Sequence, residues 1–437
     1  MTIFTNRYCV MNRRSLLQYL GLTGLGIALP SIPCRVWAGT ATDYKGFLYI
    51  NLQATGGWDV TSFCDPKINQ PNEKIINNWA SNAEIQKAGN ITYAPVGNNA
   101  RFFKQHFDKM LVVNGINSHT NAHVAGRLYN HAGSQKNGAP YLSALHAYTQ
   151  KQGLAMPLLV YGDTATANLI APTKLSRDTF QIVEPNIRTP GQAAQWLPDD
   201  DLAAVKAMQS ERAKQLKEAK LQLAKQQQQT GEYYDAVFAN TDGFKNFSSL
   251  YLGLNEGEYI KDNYTDALKF ALTAFATGLG ISADISVSGF DTHDDHDVRA
   301  VKALDDLTNS AGVLWHFAEQ LGISDRLVVS IASDFGRTPY YNAGKGKDHW
   351  NYGSTILMQK NAPWANRVIG KTTELHKGYK INPQTLQVDA NGIELEPSHI
   401  HQNLRNYFGI ATSVAAQKFK LDTTASINLF SSTAQTI

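Results

Sequence analysis

The segment Arg326-Leu-Val-Val-Ser-Ile-Ala-Ser333 runs directly into Asp334-Phe-Gly-Arg-Thr-Pro339, and this junction is the clearest indication of the fold. Its first part is a short apolar run rich in β-branched residues, which predicts a buried strand. Its second part places charged residues, glycine and proline immediately after that strand. Open α/β sheets bind their ligands at the carboxyl ends of parallel strands, so we expect functional side chains here.

Other parts of the chain repeat this alternation of apolar runs with helical patterns. Five more apolar runs predict strands at 46–54, 109–116, 157–161, 281–288 and 354–359. Three segments have helical periodicity, at 262–278, 298–321 and 397–408. Strands that alternate with helices predict an α/β fold, in which a doubly wound, mostly parallel sheet carries helices on both faces.

Residues 199–240 differ in composition from the rest of the chain. Three consecutive aspartates at 199–201 are able to cap a helix, and the following 202–229 lacks proline and glycine and is rich in helix-forming residues. We interpret this segment as a helical insertion. No internal repeat or low-complexity linker divides the chain, so we expect a single α/β domain over 39–437.

The first 38 residues have the features of an export signal. Arg13 and Arg14 precede a mildly apolar run at 19–28, which is well short of the ~20 residues that span a bilayer. Ala38 is a small residue of the kind that signal peptidases accept. The pattern resembles a signal for the twin-arginine translocation machinery, so we expect cleavage after Ala38 and a periplasmic protein. The alternatives are a membrane anchor and a chance arginine pair.

The charge balance argues against nucleic-acid binding, and the cysteine content limits the kinds of metal ligand. The 437 residues carry 40 Lys and Arg against 37 Asp and Glu, a net charge of +3. The first 38 residues hold four arginines and no acid, so the remainder carries 3 − 4 = −1. We therefore expect no nucleic-acid binding. No later apolar run reaches ~18 residues, so we also expect no stable membrane span after processing. Cys64 is the only cysteine after the leader, so any metal must be bound by histidines and carboxylates.

Three polar clusters each lie just after a predicted strand, at 289–296, 333–339 and 347–353. The first is dense in acids and imidazoles, the second places one carboxylate, Asp334, after a strongly apolar run, and the third offers an adjacent acid and imidazole. Carboxylate and imidazole are the ligands left for a divalent cation where thiolate is absent. We predict that they converge on a divalent ion such as zinc, calcium, magnesium or manganese. Taken singly, each cluster also has a structural explanation as a turn, a helix cap or a surface ion pair. The candidate ligands are Asp291, His293, His296, Asp334, Asp348 and His349.

Several motifs together resemble one exported bacterial family. They are Gly56-Gly-Trp-Asp59, Phe290-Asp-Thr-His293, Ser333-Asp-Phe-Gly-Arg-Thr-Pro339 and Asp348-His349, together with the paired arginines of the leader. The family is called domain of unknown function 1501 and is related to alkaline phosphatases and sulfatases. The resemblance covers almost the whole chain after the leader. It implies an alkaline-phosphatase-like sheet with a metal centre at the ends of the strands.

The resemblance also implies roles for single residues, namely two metal sites and a nucleophile. The residues so implied are Asp291 and His349 with His293 or His296 for one ion, Asp59 and Asp334 for the other, and Thr120 as the nucleophile.

This chain departs from the pattern of the superfamily at some of these positions. Phe335 follows Asp334 where related enzymes usually have histidine, which removes one imidazole from the second ion. Thr61 and Ser118 are alternative hydroxyl nucleophiles. A formylglycine sulfatase is excluded unless Cys64 serves as the modified residue, and the sequence that follows it does not resemble the modification motif.

These features favour a periplasmic, metal-dependent hydrolase of phosphate or sulfate esters acting on a small molecule. In such an enzyme Arg337 is a candidate catalytic residue that clamps two ester oxygens, and its structural alternative is an ion pair with a neighbouring acid. The main alternative function is a non-catalytic envelope protein that uses the same fold to bind a ligand or partner. A structural envelope protein assembled through the helical insertion is a third possibility.

Overall fold

The computed structural model describes residues 44–151, 153–176, 204, 207–208, 211–212, 214–215, 241–423 and 425–431. The predicted signal at 1–38 lies outside these ranges. The predicted insertion over 199–240 is described only at single positions and pairs between 204 and 215, all of them helical. The boundaries of the leader and of the insertion therefore stay predictions.

An eight-stranded sheet lies at the centre of the described chain. Its strands, in spatial order, are β12 (Arg367–Ile369), β4 (Met110–Asn117), β11 (Tyr352–Gln359), β8 (Leu327–Ser333), β1 (Leu48–Ala54), β7 (Ser282–Val287), β5 (Leu158–Tyr161) and β6 (Thr173–Lys174). Neighbouring strands pair in parallel, except that β11 is antiparallel to both β4 and β8. All six predicted strands are present.

Helices cover both faces of this sheet, as the sequence predicted. They are α1 (Asn99–His106), α2 (His123–Ala132), α3 (Leu142–Gln150), α4 (Thr241–Gly253), α5 (Asn263–Ala276), α6 (His296–Gln320), α7 (Pro397–Tyr407) and α8 (Val414–Lys418). Successive residues of a strand point to opposite faces. Val112 thus packs into one apolar cluster with α5 and α6, whereas Leu111 and Val113 pack into another with α3 and α7. The fold is a doubly wound α/β fold with a mostly parallel sheet.

The connections at one edge of the sheet position the candidate site. The loops after β1, β7 and β8 lie at the carboxyl ends of parallel strands, as predicted for the clusters at 289–296 and 333–339. The prediction that the third cluster, 347–353, follows a strand is wrong, because this cluster contains the short strand β10 (His349–Trp350) and leads into β11. Since β11 is antiparallel, its first residues nevertheless reach the same edge. There β10 pairs with β9 (Gly336–Arg337), and His349 lies opposite Arg337.

A small hairpin of β2 (Gln86–Ala88) and β3 (Ile91–Tyr93) lies outside the central sheet. Within the part of the chain that the structure describes, no helix is both long enough and apolar enough to cross a membrane.

Candidate metal centre

The turn after β1 brings three loops into contact, and it needs two glycines. Gly56 and Gly57 have φ angles of +125° and +87°, which residues with a side chain rarely adopt. A Cβ atom on Gly56 would lie 2.5 Å from the Asp291 nitrogen, and one on Gly57 would lie 2.5 Å from the Phe335 ring. The absence of side chains here allows the loops that carry Asp291 and Phe335 to approach β1.

Arg337 joins these loops through a guanidinium that is fully buried. Its Nε donates to the carbonyl oxygen of Gly57 at 2.7 Å, and its Nη1 donates to that of Lys347 at 2.9 Å. Its Nη2 donates to Asp291 Oδ1 at 2.7 Å and also to the carbonyl oxygen of Gly56. These bonds fit the structural alternative, an ion pair with a neighbouring acid, better than a clamp on substrate. Arg337 is accordingly a positioning residue for Asp291.

The carboxylate of Asp291 is the point at which three imidazoles meet. Its Oδ1 lies 3.1 Å from His293 Nε2 and 3.5 Å from His349 Nε2, and its Oδ2 lies 3.7 Å from His123 Nε2. Burial raises the pKa of Asp291, but the hydrogen bond and charge of Arg337 outweigh it and hold that pKa below its usual value. Asp291 is thus an anion at neutral pH.

The same three imidazoles each use Nδ1 to contact an oxygen atom. In metalloproteins the ligating histidine usually donates its second nitrogen to a carboxylate or carbonyl oxygen, which fixes the ring and its tautomer. With Nδ1 as donor, Nε2 of a neutral ring carries the lone pair that a metal needs. The contacts are His123 Nδ1 to Asp334 Oδ2 at 2.7 Å, His293 Nδ1 to Asp348 Oδ1 at 3.1 Å, and His349 Nδ1 to the Asn121 carbonyl oxygen at 2.7 Å.

This geometry fits a shared cation. His293 Nε2 and His349 Nε2 lie 2.9 Å apart, and two bare lone pairs repel each other unless a proton or a metal ion lies between them. Burial lowers the pKa of His349, which favours its neutral, metal-binding form. Ligand atoms of His123, Asp291 and His349 all lie within 4.8 Å of one another. The residues present therefore suit a divalent ion bound by imidazole and carboxylate.

Asp334 and Asp348 contact the Nδ1 atoms of His123 and His293, on the side of each ring away from Asp291. Asp334 is buried, and burial raises its pKa although the hydrogen bond from His123 opposes that rise. Asp348 is largely exposed, and its pKa is lowered by hydrogen bonds from Asn342 and His293. Both carboxylates orient a histidine, which is the role of an outer partner of a metal ligand.

Asp59 and His296 form a separate, buried cluster. His296 Nε2 lies 2.9 Å from Asp59 Oδ2, and the ammonium of Lys347 lies 2.7 Å from the same oxygen. Burial raises the pKa of Asp59, but Lys347 and His296 overcome this and bring it well below its usual range. The structure therefore does not bring Asp59 together with Asp334, or His296 together with Asp291.

The hydroxyl candidates differ in their surroundings. Thr61 is buried and donates to Asp59 Oδ1 at 2.6 Å. Ser118 is also buried and bonds to two backbone carbonyl oxygens. Thr120 is partly exposed in the loop between β4 and α2, where its Oγ1 accepts the N–H of Ala122 at 3.2 Å. Thr120 is the least constrained of the three and stays the predicted nucleophile.

Sequence reasoning missed His123 as a contributor to this site, and it missed the packing role of Phe335. His123 is the first residue of α2 and bridges Asp334 and Asp291. Its signal was its place in the loop that also carries Thr120, after a strand that runs in the same direction as β8. Phe335 packs its ring against His123 and His349, with centroids 4.9 Å and 4.4 Å away. It therefore forms an apolar wall that fixes two of the imidazoles.

A family model matches the part of the chain that carries the motifs of the second half. The model of the family described as "Protein of unknown function (DUF1501)" matches residues 269–389. This match confirms the resemblance drawn from the sequence, and it spans Asp291, Asp334 and His349. No curated protein matches the chain.

Several solved structures resemble the chain at low identity. A protein of the alkaline phosphatase superfamily from Vibrio parahaemolyticus is 9% identical, with a TM-score of 0.34, over 92% of this chain and 76% of that one. A phosphonate monoester hydrolase of Agrobacterium radiobacter is 10% identical, with a TM-score of 0.34. The match covers 83% of this chain and 74% of the hydrolase chain. An alkaline phosphatase from the Antarctic bacterium TAB5 is 10% identical, with a TM-score of 0.32. The match covers 72% of this chain and 92% of the phosphatase chain.

Proposed function

We propose that this protein is an exported, metal-dependent hydrolase of phosphate or sulfate esters. One observation carries the proposal: three imidazoles engage oxygen atoms through Nδ1 while their Nε2 atoms surround the Asp291 carboxylate. An arrangement that served only packing would not need to place three imidazole nitrogens within 3.1–3.7 Å of one carboxylate. The cofactor proposed is a divalent ion, and the ligand type favours zinc.

Each residue of the centre has a definable task in this proposal. Asp291, His123 and His349 would hold the ion, with His293 beside them. A divalent ion bound there stabilises negative charge on ester oxygens and lowers the pKa of bound water. Arg337 keeps Asp291 ionised and in place. Thr120, which is partly exposed in the loop that precedes His123, is the proposed nucleophile toward a small-molecule ester.

Two observations favour the second candidate, a non-catalytic envelope protein that binds a ligand or partner. The Arg337 guanidinium is occupied by protein oxygens, and Phe335 stands where related enzymes usually have histidine. A binding protein of this kind would retain the fold without turning over esters.

Elemental analysis and ester hydrolysis together distinguish the two candidates. The purified protein and its Asp291→Asn variant are assayed for bound metal and for hydrolysis of p-nitrophenyl phosphate and p-nitrophenyl sulfate. We expect about one tightly bound divalent ion and turnover in the wild type, and loss of both in the variant. The control is Asp325→Asn, because Asp325 is exposed and precedes β8, at the opposite edge of the sheet. A folded wild-type protein that binds no metal contradicts the hydrolase proposal.

Periplasmic export is the second part of the proposal and rests on the leader sequence. Replacing Arg13 and Arg14 by lysine should block the twin-arginine machinery while it leaves the charge of the leader unchanged. We expect the precursor to accumulate in the cytoplasm. The wild-type protein recovered from the periplasm should begin at Gly39, and a full-length, membrane-bound form would contradict cleavage after Ala38.

A further inference from the structure

Lys347 places an ammonium group inside the protein, in a pocket made of oxygen atoms. The residue is fully buried. Its Nζ lies 2.7 Å from Asp59 Oδ2, 2.9 Å from Asn77 Oδ1 and 3.4 Å from Thr61 Oγ1. Burying an ammonium is costly unless it is paired and fully hydrogen-bonded, so this pocket is built around a cation.

The ligand set of this pocket is the set that a hard metal ion prefers. It consists of a carboxylate, an amide carbonyl and a hydroxyl, which are typical ligands of calcium and other hard cations. Ser62 completes the surroundings, since its hydroxyl lies 3.2 Å from Asp59 Oδ2 and 3.0 Å from Asn77 Oδ1. The pocket thus differs in chemistry from the imidazole-rich centre at Asp291.

The charges within the pocket are already balanced. The single carboxylate of Asp59 faces the single ammonium of Lys347, at 2.7 Å. His296 contributes a ring nitrogen to the same carboxylate, while its Nδ1 contacts Thr292 Oγ1 at 2.7 Å. No uncompensated negative charge is left among these residues to attract a divalent ion. The second metal ion implied by the family resemblance at Asp59 therefore does not fit this chain.

We propose that the ammonium of Lys347 replaces the second metal ion, so that the chain binds one divalent ion, at Asp291. This inference deepens the proposed function, because it fixes the metal content of the site. It also identifies a latent cation site: removing the Lys347 side chain leaves an anionic oxygen pocket that accepts a hard divalent ion such as calcium.

The backbone of Lys347 connects the pocket to the metal centre. Its N–H donates to the Thr292 carbonyl oxygen at 3.0 Å, and its carbonyl oxygen accepts Arg337 Nη1 at 2.9 Å. Both bonds use main-chain atoms of Lys347, so replacing its side chain removes neither the donor nor the acceptor. Variants at Lys347 are therefore suited to testing the pocket with the Asp291 centre in place.

Metal stoichiometry with two different ions tests the proposal. The wild type, Lys347→Ala and the control Lys345→Ala are stripped with chelator, dialysed against zinc and calcium together, and examined by native mass spectrometry and elemental analysis. Lys345 is exposed and lies two residues from Lys347. We expect one zinc and no calcium in the wild type and in the control. We expect one zinc and one calcium in Lys347→Ala, and loss of that calcium when Asp59→Asn is added.

Two results would overturn the proposal: two metal ions in the wild type, or a folded Lys347→Ala protein that gains no calcium. The double variant Asp59→Asn/Lys347→Met covers the case in which Lys347→Ala does not fold, because it removes both charges of the buried pair. It should bind one zinc, as the wild type does. If the wild type bound two metal ions and the double variant only one, the proposal would be overturned. Calcium gain requires no ester turnover, so it is independent of the test of hydrolysis.

Discussion

Among the single residues, two carboxylates would support the proposed metal centre without contacting the ion themselves. Asp334 is buried, and its Oδ2 contacts Nδ1 of His123. Asp163 also lies near Arg127, as Asp334 does, but it is exposed and therefore suits a control. We predict that Asp334→Asn lowers zinc affinity about 10- to 100-fold, because the imidazole loses the anion that orients it. Isothermal titration with zinc measures this. Asp163→Asn is the matched control, and equal losses in the two variants would contradict the role of Asp334.

The histidines offer a second test, which separates a ligand from a structural residue. His123→Ala should lose tightly bound metal, although the sequence did not single out His123. His296→Gln should keep the metal, because His296 is buried beside Asp59, where its loss costs about 1–3 kcal/mol of folding free energy. Elemental analysis and urea unfolding measure both effects. Metal loss in a folded His296→Gln protein would instead support His296 as the ligand.

His123 also shows what the sequence could not supply at this scale. The acids and histidines of 289–296 are close together in sequence, so their density reveals them, and Asp334 is revealed by its place directly after a strongly apolar run. His123 lies 211 residues from its partner Asp334, and only the sheet brings the two together. In the same way, Asp59 pairs with Lys347 across 288 residues, and nothing local distinguishes an acid that binds a lysine from one that binds a metal.

At the scale of the element, the position of α2 decides whether His123 reaches Asp334. Gly126 lies on α2 where a Cβ atom would collide with the carbonyl oxygen of Asp334. Gly126→Ala should therefore push the helix away, cost about 1–3 kcal/mol and weaken zinc binding. Gly253→Ala, at the exposed end of α4 with no atoms near its Cβ, should be neutral or slightly stabilising. Thermal unfolding and zinc titration of the pair test this, and unchanged zinc affinity in Gly126→Ala would contradict it.

Most elements of the fold could be predicted, but the direction of one strand could not. Apolar content and helical periodicity identified six strands and three helices, because burial and repeat pattern are local properties of the sequence. The apolar run of β11 is the same whether the strand runs parallel or antiparallel to its neighbours. Its direction depends on how the chain returns to the sheet after β9. For that reason no local pattern indicates that 347–353 reaches the site from the start of a strand.

At the scale of the whole molecule, buried histidines should make the protein sensitive to acid. Burial lowers the pKa of His131 and His146 to about 3, and that of His106 and His401 to about 4. In the unfolded chain an imidazole takes up a proton near pH 6.5. The stabilisation from these neutral rings is therefore complete above about pH 6.5 and is lost as the pH falls toward 3 to 4. Burial raises the pKa of Asp284 to about 6, so this carboxyl makes the protein more stable as the pH falls. Asp284 is a single group, whereas four imidazoles lower the stability over the same range.

We therefore predict that the free energy of unfolding falls by several kcal/mol between pH 7 and pH 5, with about 2 kcal/mol from each such imidazole. Urea unfolding of the metal-free protein at both pH values measures the change without a contribution from metal release. His146→Gln should show a smaller fall, because this ring is fully enclosed and its Nδ1 contacts Ser282 Oγ at 2.7 Å, so its protonation disrupts the core. Equal stability of the wild type at the two pH values would mean that these rings are hydrated or already charged in the folded protein.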